Sequence, residues 1–127
     1  MRDHAGEVSC LAILPDSRVV SGSHDSFLIV WDPATQGITH KLEGHAGEVR
    51  CVKALPDGEV ISGSADATIK LWNPDTGECV RTLRGHEGPV LCLAVLPMNG
   101  MIASGSADNT LRIWEECRHC TQTLEGP

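Results

Sequence analysis

Ile61-Ser62-Gly63-Ser64-Ala65-Asp66-Ala67-Thr68-Ile69-Lys70-Leu71-Trp72 is the stretch that decides the fold, because its frame occurs three times. Upstream the frame runs Val20-Ser21-Gly22-Ser23-His24-Asp25 to Trp31, and downstream Ala103-Ser104-Gly105-Ser106-Ala107-Asp108 to Trp114. Each Trp stands six positions after its Asp, and successive Trp residues lie 41 and 42 positions apart. A repeat of that length is one supersecondary unit that buries its apolar face against its neighbours.

Working outward from this string, each unit reads as four short strands. In the first, Glu7 to Leu14, Arg18 to Ser23 and Phe27 to Trp31 are apolar runs separated by Pro15-Asp16-Ser17 and His24-Asp25-Ser26. Asp32-Pro33-Ala34-Thr35-Gln36-Gly37 is a longer turn, and Ile38 to Glu43 alternates as a more exposed fourth strand. The second unit runs through Glu48–Leu55, Glu59–Ser64, Thr68–Trp72 and Glu78–Arg84. The third runs through Pro89–Leu96, Met101–Ser106, Thr110–Trp114 and about His119–Glu125, with Asn99-Gly100 as a strong hairpin signal. Short runs broken by turn chemistry, without a 3.6-residue period, describe antiparallel meanders.

The 127 residues suffice for one domain with a packed core, and at 41% hydrophobic but 3% aromatic content that core is expected to be aliphatic and Cys-lined. A formal charge of −7 argues against a general nucleic-acid or anionic-membrane surface. No apolar stretch approaches the roughly 20 residues that span a bilayer, and no signal core follows Met1-Arg2-Asp3-His4. The expected location is therefore the cytoplasm, with the nucleus as the alternative. Cys10, Cys51 and Cys92 recur every 41 residues inside apolar runs and read as small buried hydrophobes rather than disulfide partners. Cys117-Arg118-His119-Cys120 has too few ligands for a closed zinc site, and Cys120 occupies a regular fourth-strand position. No phosphate-cradling glycine motif is present, so no cofactor and no metal are expected.

Four strands per unit of about 41 residues form a propeller blade. Gly44-His45 and Gly85-His86, with Trp31-Asp32 and its relaxed forms Trp72-Asn73 and Trp114-Glu115, resemble the signatures of WD repeats across essentially the whole chain. The first unit departs, with Asp3 before His4, and Pro127 stands where a fourth unit would place its His. The resemblance implies an all-β fold of three four-stranded antiparallel blades at about 4–43, 45–84 and 86–125. This partial β-propeller is expected to be either a fragment of a roughly seven-bladed ring or a unit that closes by self-association.

The resemblance also implies a role for the recurring polar residues. His4, Ser21, Asp25 and Trp31 form one set; His45, Ser62, Asp66 and Trp72 the second; His86, Ser104, Asp108 and Trp114 the third. In WD repeats each set is a hydrogen-bonded chain from Asp to His to Ser to the indole N–H, and the donor and acceptor inventory fits. The competing reading is a hydrolase with a Ser-His-Asp triad, but no nucleophile elbow is present and catalysis needs one site rather than three copies. The expectation is a non-enzyme.

WD propellers usually meet partners at the face carrying the loop before the first strand and the second hairpin turn. Here that maps to Glu7, Ser9 and His24, then Glu48, Arg50 and Ala65, then Pro89, Leu91 and Ala107, which differ between units. The expected function is a protein–protein interaction scaffold within a larger complex, its partners being proteins or peptides together with further blades or a second copy of itself. The stretches Glu78-Cys79-Val80-Arg81-Thr82-Leu83 and Leu111-Arg112-Ile113-Trp114 also resemble phospholipase-activating proteins, which implies a ubiquitin-binding adaptor in protein degradation as the alternative.

Overall fold

The computed structural model describes residues 6–35, 37–55, 58–84, 86–96, 101–115 and 119–125. Twelve strands in chain order make up the described fold. Blade 1 comprises β1 (Val8–Ile13), β2 (Val19–Ser23), β3 (Leu28–Asp32) and β4 (Gly37–Leu42). Blade 2 comprises β5 (Val49–Ala54), β6 (Val60–Ser64), β7 (Ile69–Asn73) and β8 (Glu78–Leu83). Blade 3 comprises β9 (Val90–Val95), β10 (Ile102–Ser106), β11 (Thr110–Glu115) and β12 (His119–Glu125). Each blade is one four-stranded antiparallel meander whose spatial order follows the chain. No helix among the described residues is long and apolar enough to cross a membrane.

The hairpins follow from their turn residues. At the β6–β7 turn, Ala67 N–H donates to Ser64 C=O at 3.2 Å while Ala67 takes a φ of 71°. This is the three-residue hairpin that ends on a left-handed residue. Ser26 and Asn109 hold the same place in the other blades, with φ of 73° and 69°. Each Asp before them caps its turn: Asp66 Oδ1 accepts Thr68 N–H at 2.9 Å, and Asp25 Oδ1 accepts Phe27 N–H at 3.0 Å.

The blades stack through two apolar layers. One layer brings Val20, Leu28, Val30 and Leu42 of blade 1 against Val49, Val52, Val60 and Trp72 of blade 2. The other sets Cys51, Leu55, Ile61, Ile69, Leu71 and Leu83 of blade 2 against Val90, Leu93, Ile102 and Trp114 of blade 3. Glycine allows the close approach. A Cβ at Gly22 would lie 2.6 Å from Val49 Cγ1, and one at Gly63 would lie 2.6 Å from Val90 Cγ1. At the far end of the blades Arg18 adds a polar clasp, its Nε on Asp16 at 2.7 Å and its Nη2 on Asp75 of blade 2 at 2.8 Å.

The three repeated cysteines correct the expectation of equal burial. All are free thiols, but Cys51 is buried, Cys10 is half-buried and Cys92 is exposed. The reason is positional: Cys51 lies in the layer that blade 3 covers, whereas no described residue covers Cys92 in the same way.

Candidate functional site: a buried polar chain and the loop face it holds

In blade 2 the polar set is assembled from four successive segments. His45 arrives on the loop before β5, Ser62 from β6, Asp66 from the following turn and Trp72 from β7. Asp66 Oδ2 meets His45 Nδ1 at 3.0 Å and accepts the Ala46 N–H at 2.9 Å. A carboxylate only accepts, so the ring proton sits on Nδ1, and His45 Nε2 accepts the Ser62 hydroxyl at 2.7 Å. Ser62 Oγ in turn accepts the Trp72 indole N–H at 2.7 Å, and the His45 and Trp72 rings meet edge to face. Blade 3 repeats the chain: His86 Nδ1 lies 3.0 Å from Asp108, His86 Nε2 lies 2.7 Å from Ser104, and Trp114 Nε1 donates to Ser104 at 2.8 Å. In blade 1 Trp31 donates to Ser21 at 2.7 Å. His4 lies outside the described residues, as do Cys117 and the side chain of Cys120.

One member escaped the sequence reading. Thr68 donates its hydroxyl to Asp66 Oδ1, and Thr110 does the same to Asp108. The available signal was Asp-x-Thr in two units, but Phe27 occupies the third place and breaks the pattern.

The electrostatics follow from these bonds. Burial alone would raise the Asp66 pKa, but the Thr68 hydroxyl, the Ala46 and Thr68 N–H groups and His45 outweigh it and hold it at about 2. Asp108 is lowered for the same reason by Thr110, Glu87 N–H and His86. Burial pushes His45 below its usual 6.5 against the opposing pull of Asp66, so the ring is neutral at pH 7. A neutral His flanked by a charged Asp and a Ser has the composition of a triad, but not the access. Ser62 and Ser104 are fully buried, Ser21 nearly so, and each Oγ is engaged by an indole.

Around this rigid set lies the loop face. His24 N–H donates to Glu7 C=O, Ala65 N–H to Glu48 C=O, and Ala107 N–H to Pro89 C=O, at 2.9, 2.8 and 3.0 Å. The loop before each first strand is thereby tied to the second hairpin turn. Ser9, Arg50 and Leu91 are the extra residues of β-bulges, skipped between Val8 and Cys10, Val49 and Cys51, and Val90 and Cys92. A bulge re-aims its side chain, and Arg50 and Leu91 are exposed. Ser9 is exposed as a residue, yet its hydroxyl bonds Gly22 C=O and, closely, Val49 C=O, stapling blade 1 to blade 2. His24 Nδ1 sits 3.1 Å from Glu48 and 3.8 Å from Glu7, and Arg50 lies 3.1 Å from Glu48. The first two sets thus form one acidic and basic cluster across the blade joint. Pro89, Leu91 and Ala107 form a separate apolar patch on blade 3.

Among the described residues no group of His, Cys, Asp and Glu is placed to hold a metal ion. None of the curated proteins compared with the chain matches it. The family model for the WD domain, G-beta repeat, matches three times, over residues 1–32, 36–73 and 77–115. The second match takes in β4 of blade 1 with β5, β6 and β7 of blade 2, so the repeat of the sequence straddles two sheets of the structure. Three antiparallel four-stranded blades under three consecutive matches leave one conclusion: this chain belongs to the WD40 family, whose repeats mediate protein–protein interaction.

Proposed function

We propose that the chain is a non-catalytic scaffold that takes a peptide segment of a protein partner across its loop face. The Glu7, His24, Glu48 and Arg50 cluster receives a basic side chain, and the Pro89, Leu91 and Ala107 patch receives an apolar one about a blade's width away. One observation carries the reading. The Ser and Trp of the polar set are buried in every blade, whereas the residues that differ are presented by bulges and turns on one face. Glu7 is 85% exposed and Leu91 48%, so contact needs no rearrangement of the blades. The four described cysteines are free, in keeping with residence in the cytoplasm or nucleus.

The test is a peptide array in which a basic and an apolar residue are varied independently in position. Binding should require both, should weaken with salt, and should be lost in Glu48→Lys and Leu91→Asp variants that unfold at the wild-type temperature. Binding indifferent to both substitutions would refute the assignment. Ubiquitin is the specific protein to include, on the strength of the 78–83 and 111–114 stretches. Labelling of Ser21, Ser62 or Ser104 in the folded chain by a serine-reactive phosphonate would instead establish a hydrolase.

A further inference from the structure

The joint between blades 1 and 2 holds a cavity at the end of the blades away from the loop face. Antiparallel strands put alternate turns at opposite ends of a blade, so the β1–β2, β5–β6 and β7–β8 turns share that end. Between them lies a cavity of about 370 Å³, a volume within the range of ligand pockets. Backbone bonds fix its frame: Ser17 N–H donates to Leu14 C=O at 2.9 Å, Gly58 N–H to Leu55 C=O at 2.9 Å, and Gly77 N–H to Asn73 C=O at 2.8 Å. Walls set in this way need little ordering when a ligand enters.

The lining has an apolar part and a charged part. Leu14, Pro15 and Pro74 offer hydrocarbon, while Asp16, Glu59 and Asp75 offer carboxylates against the one guanidinium of Arg18. Ionised, these groups leave a net charge of −2. Asp16 is fully engaged, its Oδ1 accepting Arg18 N–H at 3.1 Å and its Oδ2 accepting Arg18 Nε at 2.7 Å. Asp75 is not. Its Oδ1 accepts Arg18 Nη2 at 2.8 Å, its Oδ2 has no partner among the described residues, and its side chain is 75% exposed. Arg18 shows what such a place holds: a long basic side chain, 19% exposed, whose head crosses from blade 1 to a carboxylate of blade 2.

We propose that this cavity is a second docking site, which takes a lysine or arginine side chain of a partner protein. The aliphatic stem lies along Leu14, Pro15 and Pro74, and the ammonium or guanidinium head meets Asp75 Oδ2 beside Glu59. Long basic side chains suit both parts of the lining, because they bury a stem on apolar surface while the head stays at a polar rim. A cation also answers the net charge, which an acidic or purely apolar side chain does not. The site shares no residue with the loop face.

The test follows the amide signals of the 15N-labelled full chain during titration with Nα-acetyl-lysine methylamide and its arginine counterpart. Both should give saturable shifts at Arg18, Gly58 and Asp75. The norleucine analogue lacks the charge and the diaminopropionate analogue shortens the stem, so each should bind about 10-fold more weakly or worse. Asp75→Asn should weaken the lysine probe by a similar factor without moving the unfolding temperature, since an exposed ion pair adds little to folding. If it does move that temperature, the probe series on the wild-type chain decides alone. Glu48→Lys on the loop face should leave these shifts untouched, so the two sites stand or fall separately. Either analogue binding as well as lysine, binding unchanged in a folded Asp75→Asn, or no shifts at the three named residues would overturn the proposal. Spermidine binding more tightly than both probes would also overturn it, by assigning the cavity to a free polyamine.

Discussion

Asp66→Ala is the sharpest probe of the polar chain, and its magnitude can be worked from the bonds it removes. The carboxylate accepts four donors: His45 Nδ1, Ala46 N–H, Thr68 N–H and the Thr68 hydroxyl. Ala46 is exposed, so water replaces its bond. The His45 side chain is fully buried and Thr68 is 8% exposed, so both keep donors that water cannot reach. Each stranded buried donor costs about 1–3 kcal/mol. The Thr68 hydroxyl, 3.4 Å from His45 Nδ1, can recover part of this if the ring changes tautomer. The expected loss is about 2–4 kcal/mol, read from urea unfolding followed by tryptophan fluorescence at pH 7. Loss of the bond to His45 should also release the ring, so that Ser62 and the Trp72 indole lose their fixed partners in turn. A loss below about 0.5 kcal/mol, the scale of an ordinary surface substitution, would refute the argument that this chain of bonds holds the blade.

Acid should act through the same residues. The folded His45 pKa lies below its usual 6.5, so as pH falls below 6.5 the unfolded chain binds a proton the folded blade resists, and stability declines from there. Asp66, held at about 2 against the usual 3.8, adds a second decline as pH falls from about 4 to about 2; Asp66→Asn should lack it in urea titrations at stepped pH. Ala67 bears a Cβ at a φ of 71°, so Ala67→Gly should raise the urea midpoint, by about 0.5–1 kcal/mol of stability. Gly63→Ala should cost about 1–3 kcal/mol in the same assay, because the new Cβ would meet both Val90 and Cys51 at under 3 Å. Burial pushes the Cys51 thiol up to about 12, so in the native chain at pH 8 Ellman's reagent should reach exposed Cys79 and leave Cys51 until urea is added.

The blade was legible in the sequence because its determinants are local and repeated. Ser62, Asp66 and Trp72 fall on one hairpin, and a spacing that recurs in three units exposes them without any knowledge of geometry. Thr68 was hidden because Phe27 fills its place in the first unit, so the recurrence failed where the chemistry continued. The bulges were hidden for a different reason. Ser9, Arg50 and Leu91 share no residue type, and the register shift that aims them is a property of two strands rather than one. The contact of His24 with Glu48 joins two units, and no spacing within a unit reports it.

Cys10, Cys51 and Cys92 carry this distinction furthest. Their sequence surroundings are alike and each Sγ lies against the glycine of its own blade, yet one is half-buried, one buried and one exposed. What sets Cys92 apart is the valine that the next blade brings over the glycine: Val49 lies at the Cys10 site, Val90 lies at the Cys51 site, and no described residue covers Cys92. A repeat sequence therefore encodes the internal bonds of each blade but only half of each joint, the other half being written about 40 residues later. That division explains why the polar chain needed to be rigid. A blade that must offer one face to a neighbour on each side cannot rely on its core alone to fix its shape, because in a sheet four strands wide most core positions are joint positions. The Asp-His-Ser-Trp chain lies within a single blade and ties its loop, hairpin and third strand together by bonds that no neighbouring blade supplies. The loop face is thereby held at a set angle to the joints, which lets its residues vary in charge and size without disturbing how the blades meet.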